Sequence, residues 1–253
     1  MRYTDAPARR GELLRRLFAE RYVSSARTAI DLGVSDMTIR RDLRQLELDG
    51  YAVRVVGGAR VAAEETGAPF TERSQLQAAA KLAIARTAAG MLAGTSIVGI
   101  DAGTTLAPLA LQLSAGTTIV THSAPVLSTT SSRNDVDLIA LGGTYQAETR
   151  SFAGPLMLEA LSNLSLDVAV LSATAVDADG AMCANAFDAQ AKDALARAAR
   201  STLLLVDSSK LDRRAPIRFT SLDRIASIVT DSGASAEQLA MLRSGGSEVI
   251  VAS

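Results

Sequence analysis

From residue 96 to the end of the chain one pattern recurs seven times. Short runs rich in Val, Ile and Leu stand at 96–100, 118–120, 136–141, 168–171, 203–206, 225–230 and 249–251, and helix-length segments separate most of them. A strand with one face in water alternates apolar and polar residues, whereas a strand covered on both faces reads as an almost unbroken apolar run. Runs of the second kind, spaced by helices, specify an α/β fold with a mostly parallel sheet and helices on both faces. Only 9 aromatics are present, 5 Phe, 4 Tyr and no Trp, so the core is built from Ala, Leu, Val and Ile.

The first 60 residues follow a different plan. Leu13, Leu14, Leu17 and Phe18 fall at helical spacing, which predicts a first helix over about 6–20. Ser24 or Ser25 can cap a short second helix with Ala29, Ile30 and Leu32 on its inner face, and Gly33 is its natural stop. Ser35 caps a third helix, Asp36 suits its first turn, Ile39, Leu43 and Leu46 form its core side, and Gly50 ends it. From Tyr51 the period changes to that of a strand, Gly57-Gly58 turns the chain, and Arg60-Val61 returns as a second strand. Three helices and a small hairpin make a winged helix-turn-helix over 1–61. Residues 62–75, small, polar and charged, read as a linker, and 76–253 as the α/β domain, opening with an Ala-rich helix at 76–92.

Charge divides the chain in the same place. Residues 1–60 carry 12 arginines against 8 acids, a net of +4, while the remainder carries a net of −5. Arginine suits bidentate contacts to phosphates and base edges, so a basic front and an acidic rear suggest a nucleic-acid module joined to something else. One cysteine, Cys183, permits no intrachain disulfide, and with one histidine, His122, it leaves no basis for a zinc site. No cofactor or metal is expected. No run approaches the roughly 20 apolar residues that span a bilayer, and no signal peptide is read, which points to the cytoplasm and to no membrane partner.

On the third helix the side away from the core carries Met37, Thr38, Arg40, Arg41, Arg44 and Gln45. Such a helix fits the major groove, where Arg and Gln pair with guanine and adenine edges. Ser35 and Thr38 suit phosphate contacts at a helix N-terminus, and Arg54 on the wing can reach backbone or minor groove. The competing reading makes Arg40, Arg41 and Arg44 a solvated face paired with Asp42, Glu47 and Asp49.

In a parallel sheet, chemistry sits at the carboxyl ends of the strands. Four polar clusters stand there: Asp101-Ala-Gly-Thr-Thr105, which opens a helix; Thr121-His122-Ser123; Gly142-Gly143; and Asp207-Ser-Ser-Lys210. Gly103 allows close backbone approach, Thr104 and Thr105 offer hydroxyls and amides to an anion, and Lys210 offers a point charge for phosphate. Asp101 has the wrong sign for phosphate and suits sugar hydroxyls. Each cluster alone is also what an ordinary strand-to-helix turn looks like.

These residues resemble a known family. The run Val34-Ser-Asp-Met-Thr-Ile-Arg-Arg-Asp-Leu43, with Leu46, Gly50, Arg54 and Gly57-Gly58-Ala59, resembles the DNA-binding domain of DeoR-type (DeoR/GlpR) transcriptional regulators. The clusters at 101–105, 142–143, Phe152-Ala-Gly-Pro155, Asp179-Gly180 and 207–210 resemble the sensor domain of the same family, so the likeness covers nearly the whole chain. The resemblance implies a Rossmann-like, ribose-5-phosphate-isomerase-like sensor fold, a phosphorylated sugar or related effector, operator DNA as partner, and a homo-oligomer, dimer or larger. Asn185-x-x-Asp188-Ala-x-x-Lys192 is similar to the family's Asn-x-x-Glu-Ala-x-x-Lys, which makes Lys192 either a second anchor for the anionic group or a surface helix lysine. The chain departs from the pattern at Val56, commonly His; at His122, often Asn; at 171–176, usually richer in Gly and Ala; and at Leu211-Asp212, usually an aromatic and Gly.

Two other classes compete. An isomerase would use Asp101 and Lys192 as acid–base groups, but an isomerase has no use for a helix-turn-helix. A sensor without ligand control would leave a constitutive repressor. The first 60 residues favour a ligand-controlled regulator, most simply a repressor of a carbohydrate operon.

Overall fold

The computed structural model describes residues 6–20, 22–48, 52–61 and 70–253. The chain forms two compact units that divide between Ala68 and Pro69. In the first, α1 (Ala6–Glu20) is followed by β1 (Tyr22–Ser24), α2 (Ser25–Leu32), α3 (Asp36–Leu48), β2 (Ala52–Val55) and β3 (Gly58–Val61). Local chemistry sets these boundaries. The Ser24 side chain accepts from the Arg27 amide, and Gly33 takes a left-handed φ of 66° to end α2. The Ser35 hydroxyl accepts from the Thr38 amide at 3.1 Å and opens α3.

The core of this unit joins Leu13 and Leu17 of α1 to Ala29, Leu32, Ile39, Leu43 and Leu46, and to Val23, Ala52 and Ala59 of the sheet. Ile30 departs from expectation, being 82% exposed. The buried stripe of α2 runs through Ser25, Thr28, Ala29 and Leu32, and position 30 falls on the other side of that helix. The side chains of Leu14 and Phe18, and the expected helix end at Gly50 and strand start at Tyr51, lie outside the described residues.

The wing has three strands where two were expected, in the antiparallel order β1-β3-β2. Its turn is centred on Val56 and Gly57, and Gly58 already opens β3. Gly58 pairs with Ser24, and a Cβ there would lie 2.0 Å from the Val23 carbonyl oxygen. Only glycine lets β1 and β3 approach this closely.

The second unit opens with α4 (Phe70–Gln75) and α5 (Ala78–Met91), so part of the stretch read as linker is helical. The chain then alternates through β4 (Ile97–Ile100), α6 (Ala107–Ala110), β5 (Thr118–Thr121), α7 (Ala124–Thr130), β6 (Asp137–Ala140), β7 (Thr144–Gln146), β8 (Ser151–Ala153), α8 (Pro155–Ser162) and β9 (Leu166–Ser172). It ends with β10 (Ala175–Asp177), β11 (Gly180–Cys183), α9 (Ala186–Ala198), β12 (Ala199–Leu205), β13 (Ile217–Thr220), β14 (Ser227–Asp231), α10 (Ala236–Arg243) and β15 (Glu248–Ala252). All seven apolar runs are strands of one parallel sheet ordered β15-β14-β12-β9-β4-β5-β6.

Both faces of that sheet are covered. Leu204, Leu171, Ala169 and Ile228 face a cluster that includes Met157, Leu161, Leu195 and Leu242 of α8, α9 and α10. Leu203, Leu205, Val170 and Val229 face one with Ile84, Ala85 and Ala88 of α5, Leu109 of α6 and Val126 of α7. Two small antiparallel sheets, the β7-β8 hairpin and β10-β11-β13, complete the unit.

Two glycine substitutions separate packing from propensity. Gly58→Ala is expected to destabilise the first unit by about 2 kcal/mol or more through the clash with Val23. Gly11→Ala, inside α1 with nothing within 4 Å of an added Cβ, is expected to stabilise it by up to about 1 kcal/mol. Thermal unfolding of the full chain followed by circular dichroism measures both signs.

Candidate functional site

The first site is the outer face of α3. Ile39, Leu43 and Leu46 are buried, while Met37 is 73% exposed and Arg40, Arg41, Arg44 and Gln45 are exposed beside it. The Ser35 hydroxyl, besides capping the helix, lies 2.8 Å from the Thr38 hydroxyl. Arg40 pairs with Asp36 at 2.7 Å, one turn earlier.

Two of the three acids proposed to neutralise this face are engaged elsewhere. Asp42 points inward to a buried ion pair with Arg9. The Glu47 carboxylate accepts from the Arg54 amide at 3.0 Å, tying the end of α3 to β2. Asp49 lies outside the described residues. Arg41 and Arg44 therefore have no ion-pair partner among the described residues. Arg54 is exposed on β2, close to a fully exposed Val56 at the turn.

The second site is the carboxyl edge of the large sheet. The strand order places the Lys210 turn after β12, Ser172 at the end of β9, residues 101–105 after β4, His122 after β5 and Gly142 after β6, side by side. At the centre is Asp101, fully buried. Its Oδ2 accepts from the Ser172 amide at 3.1 Å, from the Ser172 hydroxyl at 2.8 Å, and from Lys192. Its Oδ1 faces His122 Nε2 at 3.3 Å. The other ring nitrogen of His122, Nδ1, lies 2.8 Å from the Phe152 carbonyl oxygen.

Lys192 reaches this edge from α9. It is 2% exposed, which rules out the surface-lysine reading. An ammonium has three N–H donors. Here the acceptors are Asp101, the Ser172 hydroxyl at 3.3 Å and Asp188 at 3.3 Å, with the Phe219 ring 5.5 Å away. Lys192 thus has three oxygen partners within the protein, and both oxygens of Asp101 are engaged.

One ammonium serves two buried carboxylates, and their titration splits accordingly. Burial works against the Asp101 anion, but Lys192 and then His122 outweigh it and hold this carboxyl far below its usual range. Asp188 goes the other way, because burial outweighs what is left of the Lys192 charge and raises it. For Lys192, burial favours the neutral amine, yet Asp101 and Asp188 reverse this and raise the ammonium's pKa. Burial, with Asp188 second, pushes the nearby Cys183 thiol up to about 12, so this cysteine is an unreactive filler.

Several of the other expected residues are scaffold. The Thr121 hydroxyl donates to the Ile100 carbonyl at 2.7 Å, and the Ser123 hydroxyl caps α7. A Cβ on Gly103 would lie 2.2 Å from the Ser172 hydroxyl, and one on Gly143 2.6 Å from the Ala153 carbonyl, so both glycines serve close packing. Thr104 and Thr105 occupy the turn before α6, not its first residues, since α6 begins at Ala107. The Thr105 hydroxyl is buried with no hydrogen-bond partner, and an added Cβ on Gly142 would meet open space. Lys210 stands in a 3-10 turn, Ser208–Lys210, with Nζ 3.8 Å from Asp207.

Two residues of this buried cluster were not among the expected contacts. Ser172 is the first polar residue after the run 168–171, the same signal that marks Asp101. Asp188 precedes Lys192 by one helical turn.

Comparison with known proteins closes the case for kinship. Residues 9–65 match the DeoR-like helix-turn-helix domain, and residues 76–232 match the DeoR C-terminal sensor domain. The chain belongs to the DeoR family of transcriptional regulators. It is 32% identical over 205 residues to the L-fucose operon activator of Escherichia coli K12, covering 79% of this chain and 84% of that one. It is 29% identical over 214 residues to the glycerol-3-phosphate regulon repressor of the same strain, covering 83% and 85%. Among solved structures it is similar to ribose 5-phosphate isomerase A from Neisseria gonorrhoeae, at 16% identity and a TM-score of 0.40, over 56% of this chain and 55% of that one. The DeoR family consists of DNA-binding regulators of transcription, so the isomerase alternative falls. No helix among the described residues is long and apolar enough to cross a membrane.

Lys192→Met is expected to destabilise the sensor unit by about 3–5 kcal/mol, since it leaves Asp101 buried without its counter-charge. Asp188 gives a pH signature. Its raised pKa means that folding favours its protonated form, so stability is lost as pH rises through its titration. Relative to Asp188→Asn, the wild-type chain is expected to lose stability from about pH 4 upward. Asp101 has the opposite sign and loses its contribution only in stronger acid. Urea unfolding of both chains from pH 4 to 8 checks this, and a constant difference across that range would contradict it.

Proposed function

We propose that this DeoR-family regulator is a repressor whose hold on operator DNA is set by a phosphorylated sugar or related metabolite. The observation that carries the DNA half is the face of α3, where Arg41 and Arg44 stand exposed without an ion-pair partner among the described residues, while Asp42 and Glu47 are engaged elsewhere. Arg40, Arg41, Arg44 and Gln45 read base edges in the major groove, Met37 offers an apolar contact, Ser35 and Thr38 meet phosphate, and Arg54 follows the backbone beside the wing. A homodimer or larger assembly presents such helices in pairs to repeated half-sites. Operator DNA places its work in the cytoplasm.

For the effector, the buried cluster argues for a division of roles. Asp101, His122 and Lys192 hold the sheet edge in shape, with Thr121, Ser123, Gly103 and Gly143 as scaffold. The positions assigned to ligand contact are Thr104, Thr105, Gly142 and Lys210. The unpartnered Thr105 hydroxyl supports this choice, because a buried hydroxyl without a partner is costly unless something fills its place. That one relative serves an L-fucose operon and another a glycerol-3-phosphate regulon agrees with a carbohydrate-related effector. Binding shifts operator affinity only if the effector prefers one of two states of the assembly, a coupling of typically about 1–3 kcal/mol.

The test uses operator fragments that the protein itself enriches from genomic DNA, read by fluorescence anisotropy with and without each of a panel of sugar phosphates. Arg41→Ala is expected to lose about 1–3 kcal/mol of specific affinity with folding intact. Lys210→Ala is expected to bind the operator normally and ignore the effector. A normal dose–response in that variant would move the phosphate site elsewhere, and unchanged affinity in Arg41→Ala would remove it from base reading.

A further inference from the structure

The sheet edge and the start of the sensor unit are joined by one hairpin. At its inner end, β8 lies along the end of β5. Ser123 and Ser151 form an antiparallel bridge, the Phe152 amide donates to the His122 carbonyl at 2.8 Å, and the His122 ring lies 2.8 Å from the Phe152 carbonyl. At its outer end, the β7–β8 turn grips α4. Arg73 donates to the Glu148 carbonyl at 2.8 Å, and the Phe70 ring has the guanidinium carbons of Arg73 and Arg150 at 5.8 and 5.6 Å. Arg150 adopts a φ of 50°, a left-handed conformation that a non-glycine residue holds only under constraint from its surroundings. Lys81 of α5 donates to the Arg73 carbonyl at 2.6 Å and anchors the same helix from a second element. α4 is the first element after residues 62–69, which connect the two units in sequence.

We infer that the β7–β8 hairpin carries the state of the sheet-edge site to α4, with His122 as the positioning residue at the inner end and Phe70 at the outer end. The inference rests on the proposed reading of that edge as the effector site. Its physical basis is the valence of the imidazole. Both ring neighbours are acceptors, a carboxylate oxygen and a carbonyl oxygen. A neutral ring has one N–H and satisfies one of them, whereas an imidazolium satisfies both. A ligand at the neighbouring Thr104, Thr105 and Gly142 positions that shifts Asp101 relative to the ring changes whether the hairpin keeps its tie. The hairpin then moves or stays with α4, the first described element of the sensor unit.

His122 is the only histidine of the chain, so its imidazole resonances are unambiguous in the full-length, ligand-free protein. Phe70→Ala is expected to change the nitrogen-15 pattern of the His122 ring and to speed amide exchange at residues 151–153 several-fold, with β9 and β12 unchanged. In the other direction, His122→Gln is expected to speed exchange at 70–75 with the same two strands unchanged. Arg73→Ala serves as the second outer-end variant should Phe70→Ala fold poorly. Unmoved ring resonances, or exchange raised evenly across the large sheet, would overturn the link. A panel of sugar phosphates that fails to stabilise the wild-type chain would instead overturn the effector reading, and the two failures are distinguishable because the resonance measurement needs no ligand.

Discussion

The buried ammonium of Lys192 organises the carboxyl edge of the sensor's sheet. Lys192 comes from α9, yet the groups it binds lie on the turn after β4, at the end of β9 and on α9 itself. A charge in a dry interior is tolerated only with a counter-charge and a full set of hydrogen bonds. Meeting that demand draws a helix and two adjacent strand ends to one point, and Asp101 extends the point to a third strand through His122. The aliphatic clusters on the two sheet faces supply most of the driving force for folding. They are indifferent to small slips between strands, whereas the Asp101–Ser172–Lys192 contacts are not.

The same logic, with the opposite outcome, shapes α3. Arg41 and Arg44 have no ion-pair partner among the described residues, because two of the neighbouring acids have another task. Asp42 faces inward to Arg9, and Glu47 fastens the wing. A surface on which every arginine met an acid would be stable and would have little to offer a phosphate backbone. The helix keeps its inner side neutral and its outer side cationic, a condition that base and phosphate contacts require.

How much of this was visible in the sequence follows from the range of the interactions. The seven long strands were legible because burial on both faces leaves a continuous apolar run at each of them. The carboxyl-edge clusters were legible because polar residues follow those runs directly. β1, β7, β8 and β10 have three residues each and carry no period. Helix α4 was concealed by its polar composition, although one residue in it, Phe70, is buried. Ile30 was misplaced because a helix of 8 residues can present its apolar stripe in more than one direction. The fate of Lys192 was the least legible of all, since its principal partner is 91 residues away in sequence. A lysine on an amphipathic helix looks the same whether it faces water or a buried carboxylate.

The grip of the hairpin on α4 also bears on how such regulators are built by recombination. Residues 70–75 look like spacer, so an exchange of DNA-binding modules would naturally be cut after them. In this molecule that cut would carry Phe70 and Arg73 away with the module and leave Arg150 and the Glu148 carbonyl facing a foreign segment. A graft that keeps the sensor's own helix, joined before Phe70, preserves these contacts whatever operator the new module reads. The interchangeable part of the protein therefore ends earlier than its composition suggests.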